Sequence, residues 1–268
     1  MLSAPSFFDL TSFGHRQLFD NATHVWDALR DLKAYLSGLD YMDYRCDDLI
    51  QDGIPLARTV ILFENSILPA AETIIEYGDA TKGGLKVSKD GQHLEGASII
   101  MAGAVLMGGA ISLGRGVLIE SGAMIKSPTV IGPGSEVRQG AYIRGYCLAG
   151  AGCVLGHVTE IKHAIFLDHA KAGHFAYVGD SILGNRVNLG AGTKLANLRF
   201  TAGSVKVKSS PQGHIDTGLR KLGAILGDDV QTGCNSVTNP GTILGKKSFV
   251  MPNRTVSSGV YRKVTLVK

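Results

Sequence analysis

The sequence predicts an all-β solenoid, a parallel β-helix preceded by a small helical segment. Three observations point there. An aliphatic residue returns every six positions from Met101 to Leu167, glycine supplies 35 of 268 residues, and aromatics are only 7%. A fixed short period is the mark of stacked coils, and a core of small and branched side chains is thin and regular.

The first element reads as a helix, because Val25, Leu29, Leu32 and Leu36 recur at the spacing of one helix face. Asn21 is its expected N-cap and Gly38 its stop. Phe7, Phe8, Phe13, Phe19 and Trp26 concentrate aromatics beside it, which predicts packing over an open end of the solenoid. Residues 40–60 read as a linker, so the expected organisation is a helical cap and linker over residues 1–60 and a β-helix over 61–268.

The repeat itself runs Met101, Met107, Leu113, Ile119, Ile125, Ile131, Val137, Ile143, Ala149, Leu155, Ile161, Leu167, with Gly or a charged residue usually next. That is an inward aliphatic followed by a corner residue on a short strand. A second run holds the same phase at Leu226, Thr232, Thr238, Leu244, Val250 and Val256. Between them the phase slips over residues 171–182. Residues 199–222, which include Ser209-Ser210-Pro211, are too polar and irregular for coil, so a loop leaving the solenoid is expected there.

Composition excludes several classes. A net charge of +4 with scattered basic residues argues against a nucleic-acid surface and leaves room for small anions. Residues 96–114 carry no charge and are long enough to span a bilayer, yet their glycines and aliphatics keep the six-residue phase, which a lipid-facing helix has no reason to do. Cys46, Cys147, Cys153 and Cys234 show no CxxC spacing and the N-terminus shows no cleavable leader, so a cytoplasmic protein is expected. Gly150-Ala151-Gly152 with Gly156 falls in register with the hexads and reads as turns rather than a dinucleotide loop.

The chemistry concentrates in Thr159-Glu160-Ile161-Lys162, in Lys171-Ala172-Gly173-His174-Phe175-Ala176-Tyr177-Val178-Gly179-Asp180, and in Val187-Asn188-Leu189-Gly190-Ala191-Gly192-Thr193. Moving an acyl group onto an amine needs a base for the ammonium proton, donors for the oxyanion and cations for any phosphate. His174, whose unperturbed side chain titrates near neutrality, suits the base.

These segments resemble the acetyltransferase half of the bifunctional enzymes that make UDP-N-acetylglucosamine. Leu195-Ala196-Asn197-Leu198-Arg199, Asp216-Thr217-Gly218, Arg220-Lys221-Leu222-Gly223 and Gly227-Asp228 are similar to the archaeal-type sugar-1-phosphate nucleotidylyltransferase/acetyltransferases. The resemblance covers roughly residues 100–255. It implies a left-handed β-helix of the hexapeptide-repeat family and a homotrimer with its sites between neighbouring solenoids. The implied reaction is acetyl transfer from acetyl-CoA to the amine of a glucosamine-1-phosphate-like acceptor. By the same resemblance His174 is the base and Glu160 orients it. Arg144 and Lys162 hold the sugar phosphate. Tyr177, Asn188 and Asn197 surround the sugar and acetyl group, and the backbone at Ala191 and Gly192 meets coenzyme A. Asn188 has a structural alternative, a stacked amide ladder inside the coil. Leu198 replaces the aromatic of the common bacterial motif, Gly203 stands where a basic residue is expected, and no Gly-rich nucleotidylyltransferase loop precedes the repeats.

Two other readings stay open. His157, His163 and His169 are six apart and His174 follows five later, a spacing similar to that of the zinc ligands in gamma-class carbonic anhydrases. The position two coils before His169 is Pro133, however, which cannot ligate, so no metal is expected. The other is a non-catalytic β-helix subunit that partners a nucleotidylyltransferase.

Overall fold

The computed structural model describes residues 2–45, 49–64, 66–209 and 213–268, so Cys46, Ser210 and Pro211 lie outside it. Short parallel strands stack into three flanks of a solenoid, as the six-residue period predicts. The first flank includes Glu136–Val137, Val154–His157, Lys171–His174, Asn188–Leu189 and Gln231–Thr232. The second includes Tyr142–Ile143, Glu160–Lys162, Tyr177–Gly179, Lys194–Leu195 and Val237–Thr238, and the third includes Cys147–Ala149, Ala164–Phe166, Ile182–Leu183, Ala224–Leu226 and Thr242–Leu244. Each strand hydrogen-bonds to the one a full coil away, so Ile125, Ile143, Ile161 and Val178 stack in register and are fully buried. Residues 96–114 form strands and turns of this stack, and no helix among the described residues is long and apolar enough to cross a membrane.

The inward phase differs from the sequence reading at its two ends. Ile100 and Leu106 pair with Ile119 and Ile125, so they point inward and Met101 and Met107 do not. The later slip is also displaced. Ile143 and Leu148 pair with Ile161 and Ile165, so a residue is lost between the second and third flanks, at Lys162-His163, and not within 171–182. After that loss Phe166 rather than Leu167 joins the inner core. The excursion at 199–222 leaves from the same corner, one coil beyond Gly179-Asp180. It carries an antiparallel hairpin, Lys206–Lys208 with His214–Asp216, whose Val207 packs with Val205 and Leu222 against the outer side of the third flank.

The helix α1 spans Asp27–Ser37, later than Asn21 would start it. The Asp27 carboxylate accepts the His24 N–H at 2.8 Å, which organises the first turn, and Gly38 closes the helix by donating to Ala34 and Tyr35. It does not cover an open end. Trp26, Leu29, Leu32 and Leu36 pack along the third flank, against the outward side chains of Leu148, Ile165, Ile182 and Ile225. A strap before the helix is tied to the coils: Asp9 N–H donates to Asp228 Oδ2 at 2.7 Å, and Asn185 Nδ2 donates to the Asp9 carbonyl at 2.7 Å. The physical reason is area, since the third-flank strands from Thr129–Ile131 onward each have an aliphatic outer residue that water would otherwise wet, at about 1.5–3 kcal/mol per side chain.

The end of the solenoid is plugged by the segment read as a linker, whose Tyr44, Ile50 and Leu56 enter the inner core. The coils begin at Ser98, not at 61. Val60–Phe63 and Ser66–Pro69 pair antiparallel and add onto Ser98–Ile100, and a small antiparallel sheet of Ile74–Glu76, Lys86–Lys89 and Gln92–His93 covers the start of the first flank. The chain's own segments thus cover the third flank and part of the first. The second flank keeps half-buried or exposed outer residues, Tyr142, Glu160, Tyr177 and Lys194 among them.

Candidate active site

The functional residues fall on the two edges of that uncovered second flank. Along the edge shared with the first flank, His157 and His174 are register partners at the ends of their strands, so His174 occupies a regular coil position and not a phase slip. Their rings stack with centroids 5.6 Å apart at 20°, and Phe175 lies 6.3 Å from His174. Neither imidazole makes a hydrogen bond among the described residues, and His174 is exposed. One coil further on, Gly192 donates its N–H to the His174 carbonyl at 3.0 Å, which sets the Ala191-Gly192 turn directly over the histidine. This corner needs a left-handed backbone. Gly192 supplies it at φ 76°, whereas Val158 and Phe175 adopt φ 47° and 52° and are 57% and 60% exposed. A β-branched residue in that region is strained, and strain of this kind collects at functional sites.

The opposite edge, shared with the third flank, carries the charged groups. Arg144 and Lys162 stand one strand apart, because Ile143 pairs with Ile161. Each already holds a carboxylate. Arg144 Nη1 meets Glu160 Oε1 at 2.6 Å, and Lys162 Nζ meets Asp180 Oδ2 at 3.3 Å. The hydrogen bond from Arg144 is given to Glu160, which also holds the guanidinium above its ordinary range. Glu160 therefore acts on Arg144 rather than on His174 within this chain.

Asp180 is the buried centre of the edge. It accepts from His163 Nδ1 at 2.8 Å and from Asn197 Nδ2 at 2.5 Å as well as from Lys162. Burial by itself would raise this carboxyl, but those hydrogen bonds and the charges of His163 and Lys162 outweigh it and leave it below the ordinary 3.8. Tyr177 stands beside Asn197, its phenol raised chiefly by burial. Gly179 makes the crowding possible, since a Cβ there would lie 2.6 Å from both Asn197 Nδ2 and the Tyr177 hydroxyl.

The structure brings Arg144, Glu160, Lys162, Tyr177 and Asn197 together, and separately His174, Ala191 and Gly192. It does not join the two groups within one chain. His174 and Gly179 bound the same crossing, five residues apart, a span of at most about 16 Å at the rise of an extended strand. Asn188 lies on the outer side of the first flank, exposed and over Lys171, so it forms no ladder inside the coil. His157, His163 and His169 occupy three different corners, because one hexad is one flank and only three hexads return to the same side. Among the described residues no group of three or more His, Cys, Asp or Glu side chains gathers within reach of one ion. Sequence reasoning assigned no role to Asp180 or to the stacked position of His157. The signal for Asp180 was its place at the shortened corner, and His157 was seventeen residues before His174, the length of the shortened coil.

The uncovered flank thus carries an imidazole ledge on one edge and a cluster of cations and carboxylates on the other. The chain belongs to the GMPPB C-terminal domain family, whose model matches residues 125–266. It is 41% identical over 109 residues to a bifunctional sugar-1-phosphate nucleotidylyltransferase/acetyltransferase of Sulfurisphaera tokodaii, covering 39% of this chain and 27% of that protein. It is 41% identical over 115 residues to the bifunctional protein GlmU of Methanococcus maripaludis, covering 41% and 28%. A third relative, the uncharacterized acetyltransferase YaiX of Escherichia coli, is 33% identical over 107 residues, covering 38% and 46%. The matched stretch thus spans little more than a quarter of the two bifunctional relatives.

Proposed function

We propose that this protein transfers an acetyl group from acetyl-CoA to the amine of an amino-sugar phosphate of the glucosamine-1-phosphate kind. The observation that carries the reading is the exposed, unbonded imidazole of His174 beneath the Ala191-Gly192 turn, on a flank whose other edge holds Arg144 and Lys162. The names of the matched relatives support the same chemistry.

In this reading His174 takes the proton of the sugar ammonium, the freed amine attacks the thioester carbonyl, and a tetrahedral oxyanion forms. Its collapse breaks the carbon–sulfur bond; of the two protons that the nitrogen gives up, the one held by the base passes to the departing thiolate and the other is released to water. Arg144 and Lys162 bind the acceptor phosphate, and Tyr177 and Asn197 line the sugar. In this reading His174 of one copy works with the cation edge of a neighbouring copy. A homotrimer closed around the bare second flanks provides that pairing, and Ala191 and Gly192 lie where the thioester would approach His174. Both co-substrates are metabolites of the cytoplasm, which is where this reading places the protein.

The test is a thiol-release screen of amino-sugar phosphates with acetyl-CoA. At least one phosphorylated acceptor should turn over, and His174→Ala should lower that turnover by about two to four orders of magnitude while coenzyme A still binds. Coenzyme A binding with no thiol release on any acceptor would instead favour the non-catalytic subunit.

A further inference from the structure

His163 stands where the coil loses a residue, and nothing in the chemistry above uses it. It follows Lys162 as Asp180 follows Gly179, and Lys162 and Gly179 are register partners, so His163 and Asp180 stack at the corner. Both hold a left-handed backbone, at φ 49° and 46°. The ring is used on one side only. Nδ1 lies 2.8 Å from Asp180 Oδ1, whereas Nε2 is buried with no hydrogen-bond partner among the described residues. Tyr146 meets the imidazole edge to face, with centroids 6.5 Å apart. A buried N–H without an acceptor is costly, so the ring proton belongs on Nδ1, where the carboxylate accepts it.

The effect of this donation follows from comparing the two cations of the edge. Arg144 pairs with Glu160, whose side chain is 37% exposed and can swing into water when another anion arrives. Lys162 pairs with Asp180, which is 8% exposed and cannot. An anion approaching Lys162 therefore meets a fixed negative charge, and other donors must occupy that charge if the ammonium is to serve a ligand. They do. His163 holds Oδ1, Asn197 holds Oδ2 at 2.5 Å, and Lys162 keeps the longest of the three contacts, 3.3 Å. An ammonium has three donors, so two remain for a second anion.

We propose that His163 is a positioning residue for the acceptor's phosphate: its Nδ1–H holds Asp180 so that the carboxylate does not close on Lys162 with both oxygens, and the ammonium stays available to the phosphate. His163 acts through Asp180 and touches no substrate. The proposal rests on the acyl-transfer reading for the identity of the anion, and not for the state of Lys162.

Two measurements on the full chain test it. Trace acetylation with acetic anhydride, read by mass spectrometry against the other lysines, reports how tightly Lys162 is held. In His163→Ala and in His163→Phe, which keeps a ring but no donor, Oδ1 turns to Lys162 and its labelling should fall about threefold or more. His163→Asn, whose Nδ2 stands where Nδ1 did, should restore the native rate. In steady-state assays the same two variants should raise the Michaelis constant of the phosphorylated acceptor about three- to tenfold, with kcat and the constant for acetyl-CoA unchanged, and free glucosamine should be indifferent. A role in stability alone would lower the thermal midpoint and move neither readout. Labelling of Lys162 at the native rate in His163→Ala and His163→Phe, or an unchanged Michaelis constant for the phosphorylated acceptor in both, overturns the proposal. Slower labelling of Lys162 with no thiol release from any acceptor would instead show that the acyl-transfer reading had failed and the positioning role had not.

Discussion

Replacing Asp180 by Asn removes the charge that holds the corner between the second and third flanks while keeping the side chain's shape. The native carboxylate is 8% exposed and accepts from Lys162, His163 and Asn197. An amide in its place keeps one acceptor and turns an NH2 toward groups that are themselves donors, leaving the ammonium of Lys162 without its counter-charge. Breaking a fully buried pair costs about 3–5 kcal/mol, and because Lys162 keeps 27% of its side-chain surface in water the cost falls below that scale, to about 2–3 kcal/mol. For a chain of this size that lowers the unfolding midpoint by roughly 4–12 °C. The pH dependence gives a second reading. The folded carboxyl lies below its ordinary 3.8, so its stabilisation is full above that value and is lost as pH falls through the depressed folded value. The gap between native chain and variant should thus be open at pH 5 and close below about pH 4. Urea unfolding followed by circular dichroism measures both. A midpoint within about 1 °C of native, or a gap that persists unchanged at pH 3, would refute the reasoning.

The histidine stack makes a separate prediction: His157→Ala should lower kcat about three- to tenfold with both Michaelis constants unchanged, and His157→Phe should restore most of it, because a flat neighbour is what holds the His174 ring. In a His174→Ala background the same change should have no further effect on turnover. Arg144→Ala or Lys162→Ala should raise the Michaelis constant of the phosphorylated acceptor about tenfold, the scale of one charge-assisted hydrogen bond, while free glucosamine should be indifferent. Static light scattering at micromolar concentration should give three times the 28.3 kDa chain mass, and a monomer would remove the shared site. Thiol reagents should label Cys234 and spare Cys147 and Cys153 in the folded chain, since burial pushes both of those thiols up to about 12.

Much of the fold was legible because a six-residue period has one physical meaning. Ile119 to Ile161 and Leu226 to Val256 had to point inward, for any other phase would bury their Gly, Arg and Lys neighbours. The helix near Leu29 and Leu32 and the loop at 199–222 were legible on the same principle, the first from its 3.6 period and the second from the lack of any.

Tertiary structure decided the rest. Periodicity counts residues per turn but does not say at which corner one is lost, so the contraction at Lys162-His163 showed only in the pairing of Leu148 with Ile165. A helix's apolar face says that it must be covered and not by what, so only packing set α1 along the third flank and left the second bare. The site was read as one list of residues along the chain. Folding divided it between two edges, because each hexad turns the chain onto a new flank: the stretch from His174 to Asp180 begins on the ledge with His157 and ends in the charged cluster with Lys162, His163 and Asn197. Sequence fixes which side chains a coil carries, whereas their partners lie seventeen or eighteen residues away, at distances that only the register between coils determines.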